Sequence, residues 1–139
     1  TIRAMRHELL NTTFLQLVNR ARMVVFAPPL QLNSTLVHVA QCHAETMALQ
    51  AYFDHVDRQG GVVGTRLLDA GFNYRYAGEN ISAGKADIQS VFDWWMSSAG
   101  HRANILKPEF TCAGFGYFYI AQDRLSFHHY WVQVFASPL

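Results

Sequence analysis

At 139 residues, half of them apolar and 14% aromatic, the chain has the length of one domain and enough apolar side chain to fill an interior, which excludes intrinsic disorder. A formal net charge of +1, with eleven Lys and Arg scattered along the sequence, leaves no basic footprint for nucleic acid or an anionic membrane. The most apolar run, Met23 to Leu30, contains Pro28 and Pro29 and falls far short of the roughly 20 residues that span a bilayer.

From Arg6 to about Met23, Leu10, Phe14, Leu17, Val18 and Ala21 recur at the helical period, so an amphipathic helix is expected, stopped by the two prolines. Asn33 or Ser34 can cap a second helix whose buried stripe is Leu36, Ala40, His43, Met47 and Ala51, which places His55 just past its end. A third helix fits Val62 to Ala70, closed by Gly71. Phe72, Tyr74 and Tyr76 then alternate as a strand does and lead into Glu79. Asp87 can cap a fourth helix with Ile88, Val91, Phe92 and Trp95 inward, broken at Ser97 to Gly100.

Two strands finish the chain, Cys112 to Ile120 and about Phe127 to Phe135, joined through Ala121 to Arg124 as an antiparallel hairpin. Phe115, Tyr117 and Tyr119 point one way, Phe118 and Ile120 the other, so the sheet needs cover on both faces, and the helices are the cover available. The expectation is an α+β fold, a three-layer α-β-α sandwich around a mainly antiparallel sheet, one domain over 1–139.

Several motifs fail on inspection. His7-Glu8-Leu9-Leu10-Asn11 starts like a zinc-protease helix but has Asn11 where the second histidine belongs. No Gly-x-Ser-x-Gly elbow or phosphate-binding glycine loop occurs. Gly114 and Gly116 read as points of close backbone packing, and His43 as a core histidine. His128 and His129, read as neighbouring strand positions, point to opposite faces and make no joint site. Cys42 and Cys112 leave two readings open: a bridge closing about 70 residues, worth on the order of 4 kcal/mol, or two separate thiols. Sequons begin at Asn11, Asn33 and Asn80.

Three segments stand apart: Phe53-Asp54-His55 after a helix, Gly78-Glu79-Asn80-Ile81 on a strand, and Ser98-Ala99-Gly100-His101-Arg102-Ala103-Asn104-Ile105-Leu106 at a helical turn. Joined by Asn19-Arg20-Ala21-Arg22, Arg66 before Gly71, Trp95-Met96 and Tyr130-Trp131-Val132-Gln133-Val134-Phe135, they follow the order found in the CAP superfamily of cysteine-rich secretory, antigen 5 and pathogenesis-related 1 proteins. From about Leu9 to Phe135 the chain resembles the short prokaryote-type branch, the SCP-like extracellular proteins.

The resemblance implies a sandwich with a shallow cleft lined by His55, Glu79 and His101, residues for which both catalytic and metal-ligand roles are expected. Two imidazoles and a carboxylate can give three ligands of a tetrahedral zinc, leaving a position for water. Glu79 can instead orient a histidine from behind, or stiffen the loop before His101 within a buried polar network. Larger family members carry a further glutamate at the place matched by Ser98, so any bound metal is expected to be held weakly. The expected protein is a secreted, extracellular or periplasmic monomer: a binding module for a protein, lipid or sterol partner, with zinc or another divalent metal as its one cofactor. No nucleic-acid partner and no transmembrane segment are expected. The alternative is a metal-assisted or His/Glu-based hydrolase, with Glu79 as general base and Ser98 as a conceivable nucleophile. Membership of a mostly exported family also favours the Cys42–Cys112 bridge.

Overall fold

In the computed structural model, which describes residues 2–139, the elements run α1 (Ile2–Val24), β1 (Gln31–Leu32), α2 (Ser34–Gln50), α3 (Val63–Asp69), β2 (Tyr74–Ala83), α4 (Ile88–Ser97), α5 (Ala99–Leu106), β3 (Cys112–Tyr119) and β4 (His129–Pro138). The capping residues act as the sequence suggests. Asn33 Oδ1 accepts from the N–H of Thr35 (2.9 Å) and Leu36 (3.2 Å), and Asp87 Oδ1 accepts from the N–H of Ser90 (2.9 Å). Beyond α3, Gly71 takes a φ of 85°, a backbone state that a side chain would strain.

The strands lie in the order β1-β3-β4-β2, with β3/β4 and β4/β2 antiparallel and the two-residue β1 parallel to β3. Leu36, Ala40 and Met47 of α2 and Leu67 of α3 cover one face, against Ile81, Val132 and Val134. Phe14 and Val18 of α1, Val91 and Trp95 of α4 and Ile105 of α5 cover the other, against Phe115, Trp131 and Phe135. Both faces of the sheet are dry, and the three layers follow. At Gly114 an added Cβ would run into the main chain of Leu36 and Val37, and at Gly116 into that of Ala40 and Gln41, so α2 rests directly on the backbone of β3.

Beyond Ala113 no strand among the described residues pairs with the outer side of β3, and side-chain amides take its place. Asn11 of α1 donates to Phe115 O (3.0 Å) and accepts from Phe115 N (2.9 Å). Gln41 of α2 does the same for Tyr117, at 2.8 and 3.0 Å. Peptide groups that would stand open to another strand are thereby closed. At the inner end of α1 the fully buried Arg22 donates to four carbonyls, those of Pro28, Ile105, Lys107 and Phe110, and ties α1 to the chain leaving α5.

Three expectations change. The cysteines are free: Cys42 is exposed on α2 beside His38, and Cys112 is buried in β3, its thiol donating to Ala136 O. A long loop makes a bridge valuable without making it near. The β3–β4 connection is longer than a tight turn and is organised by Asp123, whose carboxylate accepts from the N–H of Leu125, Phe127 and His128 and from the Tyr130 hydroxyl. His128 therefore sits outside the strand at a φ of 66°, and only His129 enters β4. Of the sequon residues, Asn11 and Asn80 are buried and the side chain of Asn33 is spent on its cap.

Candidate functional site

β2 is an edge strand, and its alternation sends Glu79 toward α2 and α3 while Asn80 turns toward α5. Two layers therefore meet over one edge. His55 arrives from the first layer, where α2 ends at Ala51 in a left-handed turn (φ 54°). The loop is then held by Asp54, whose carboxylate accepts from Val56 N (3.0 Å) and whose carbonyl accepts from His43 Nε2 (2.9 Å). His101 arrives from the second layer on α5.

His55 and Glu79 are in direct contact, Nδ1 to Oε1 at 2.8 Å. A carboxylate oxygen only accepts, so the hydrogen lies on Nδ1 and the free Nε2 is the basic atom of the neutral ring. The His55 side chain is 50% exposed and that of Glu79 only 2%. The second carboxylate oxygen, Oε2, accepts from Arg66 Nη2 at 2.6 Å, and His43 Nε2 lies 3.9 Å from Oε1. Arg66, from α3, also donates through Nη1 to His55 O (3.1 Å), Gly61 O (3.2 Å) and Asp57 Oδ2 (3.3 Å). Asp57 closes its own loop by accepting from Gln59 N and Gly61 N.

The electrostatics follow from these contacts. The hydrogen bond to Glu79 lifts the His55 pKa above 6.5 against the opposing effect of burial. Burial pushes His43 and His101 down, and the charge of His55 lowers His101 further. Burial would raise Asp57, but its backbone hydrogen bonds and Arg66 hold its carboxyl below the usual range.

The His101 ring lies 5.0 Å from that of Trp94, and its Nδ1 is buried with no hydrogen-bond partner among the described residues. A ladder of amides fixes its helix: Asn80 Nδ2 donates to His101 O (3.0 Å) and to Gln133 Oε1 (3.1 Å). Asn104 Nδ2 donates to Asn80 Oδ1 (2.9 Å) and Glu79 O (3.2 Å). Thus Glu79 bonds one histidine, while the second stands close enough to feel that histidine's charge and bonds neither partner.

This donor set does not fit the three-ligand zinc site. Both oxygens of Glu79 are committed to the chain, and among the described residues no three His, Cys, Asp or Glu side chains are grouped to hold a metal ion. Ser98, matched above to the missing glutamate, stands at the start of α5 without a side-chain cap bond. Sequence reading passed over the roles of Arg66, Asp57, Asn104 and Gln133. The Asp57-Arg58-Gln59-Gly60-Gly61 turn is a local signal for the loop that Arg66 joins, while Arg66, Asn104 and Gln133 stand in the sequence only among the residues that carry the family resemblance. Away from the imidazoles, an apolar trough of about 750 Å³ lies between α1, the start of α4 and β3, walled by Leu9, Leu10, Ile88, Tyr117, Tyr119 and Trp131.

Known proteins resemble the chain in pattern and in shape. Residues 15–135 match the Cysteine-rich secretory protein family, CAP. The uncharacterized protein YkwD of Bacillus subtilis (strain 168) is 38% identical over 102 residues, 73% of this chain and 40% of that protein. The chain thus spans two-fifths of that relative's length. An extracellular protein containing a SCP domain from Bacillus anthracis superposes with a TM-score of 0.81 at 27% identity, over 94% of this chain and 41% of that one. An outer surface protein from Borrelia burgdorferi, 15% identical, shares the fold at a TM-score of 0.82 over 92% of each chain.

Proposed function

Since the chain belongs to the cysteine-rich secretory protein (CAP) family, we propose that it is an exported binding module whose ligand is met by the imidazoles of His55 and His101. The observation that supports this reading is the engagement of Glu79: a buried carboxylate bonded through one oxygen to His55 and through the other to Arg66 holds the ring in one tautomer and leaves its Nε2 to meet a ligand. Among the described residues no serine, threonine or cysteine side chain hydrogen-bonds to either imidazole, so no side-chain nucleophile is paired with a base there. Export draws support from the extracellular SCP protein of Bacillus anthracis and the outer surface protein of Borrelia burgdorferi. No helix among the described residues is long and apolar enough to cross a membrane.

The lipid or sterol reading is supported by a different place, the trough beside Tyr117 and Trp131, whose volume suits an acyl chain or a ring system. The two readings separate in one set of titrations. Palmitate, cholesterol sulfate and a soluble glycan panel are titrated against wild type, His55→Ala, His101→Ala and Leu10→Trp. Binding that weakens about tenfold with either histidine variant supports the imidazole cleft, and loss confined to Leu10→Trp assigns the trough. Hydrolysis of a generic ester or peptide that disappears in His55→Ala and His101→Ala would replace the binding role with an enzymatic one.

A further inference from the structure

We infer that Arg66 is the resident cation of the cleft and bars a divalent metal from it. Four oxygens converge on its guanidinium: Glu79 Oε2 at 2.6 Å, His55 O at 3.1 Å, Gly61 O at 3.2 Å and Asp57 Oδ2 at 3.3 Å. Two carboxylates and two main-chain carbonyls are the oxygen set that a hard divalent ion gathers around itself. Here the chain supplies the positive charge. Arg66 Nε is buried without a partner among the described residues, so the group is held by its two Nη atoms, and those reach the four oxygens.

A guanidinium does not release its proton in a protein, so the charge is permanent, unlike that of a lysine or histidine in the same place. An incoming ion would have to displace a group already matched to these acceptors, or share Glu79 with a fixed positive charge. Neither favours a metal. Arg66 and a proton on His55 together offset Glu79 and Asp57, so the set runs from one net negative charge to neutral through the chain's own cations.

The inference rests on the same cleft as the proposed binding role, but a cation titration reads it without any ligand, so either can fail alone. Zinc and calcium are titrated calorimetrically at neutral pH into wild type, Glu79→Gln, Arg66→Met and Arg66→Met/Glu79→Gln. At least one ion should bind Arg66→Met about tenfold more tightly than wild type, with the gain removed by Glu79→Gln in that background. Glu79→Gln alone should leave the wild-type response within about twofold, because the carboxylate is not a ligand there. No gain in Arg66→Met for either ion overturns the inference. So does a wild-type affinity that falls about tenfold on Glu79→Gln. Arg66→Met leaves two carboxylates uncompensated and will melt lower; added ion should then raise its melting temperature but not that of the wild type, and the lack of such a rise also overturns the inference.

Discussion

Arg22 offers the sharpest test of what holds the second layer in place. Its side chain is fully buried, none of its four acceptors is a carboxylate, and burial lowers its pKa. Arg22→Met keeps the apolar stem and removes every one of these bonds. The carbonyls of Ile105 and Phe110 lie in fully buried contacts and would stay dry. At about 1–3 kcal/mol for each buried polar group left unpaired, they cost roughly 2–6 kcal/mol. Removing a buried charge that has no counter-ion returns part of this, so the expected loss is about 3 kcal/mol. For a domain of this size that lowers the melting temperature by roughly 10 °C. Urea unfolding followed by circular dichroism gives the value directly, with Arg20→Met, exposed on the same helix, as a control expected within about 0.5 kcal/mol of wild type. A loss below about 1 kcal/mol in Arg22→Met would show that water reaches the carbonyls and that the guanidinium does not fasten the two elements.

Other expectations are simpler to check. Gly114→Ala should cost upward of about 3 kcal/mol in urea unfolding, because the new methyl meets helix backbone that cannot give way; near-wild-type stability would mean that α2 rides higher on the sheet. A thiol reagent should titrate one cysteine in the native protein and two once it is unfolded without reductant, since Cys42 is exposed and Cys112 buried; finding no thiol in either state would restore the bridge. His55 binds its proton more tightly folded than unfolded, so its contribution to stability is complete below 6.5 and is lost as the pH rises through the folded value. Burial holds His43 and His101 below 6.5, so the unfolded chain takes up those protons first and stability falls as the pH drops through that value. Histidine NMR titration should place His55 above the other two, and Glu79→Gln should bring its midpoint down; an unmoved midpoint would refute the pairing.

Much of this architecture was legible because it is periodic or local. The stripe from Leu36 to Met47 and the caps at Asn33 and Asp87 depend on residues within a few positions of one another. The two-faced hairpin likewise follows from strict alternation in β3. Family resemblance, rather than spacing, pointed to His55 and Glu79, which meet across 24 positions. Arg66 was harder to read, since an arginine on a short helix looks like ordinary surface until the Asp57–Gly61 turn folds over it. The same applies to Arg22, which lacks the acidic partner that usually betrays a buried cation. β1 was missed because two residues carry no pattern, and the supposed bridge because loop entropy says nothing about where two thiols come to rest.

The amides on β3 have a consequence for how the molecule tolerates change. Asn11 and Gln41 each read both main-chain polar atoms of a single residue, so sliding either helix by one position would break two bonds at once. The interior can therefore be rewritten with other apolar side chains while the helices stay keyed to their notches. Drift in the core would leave the alignment of His55 with Glu79 undisturbed.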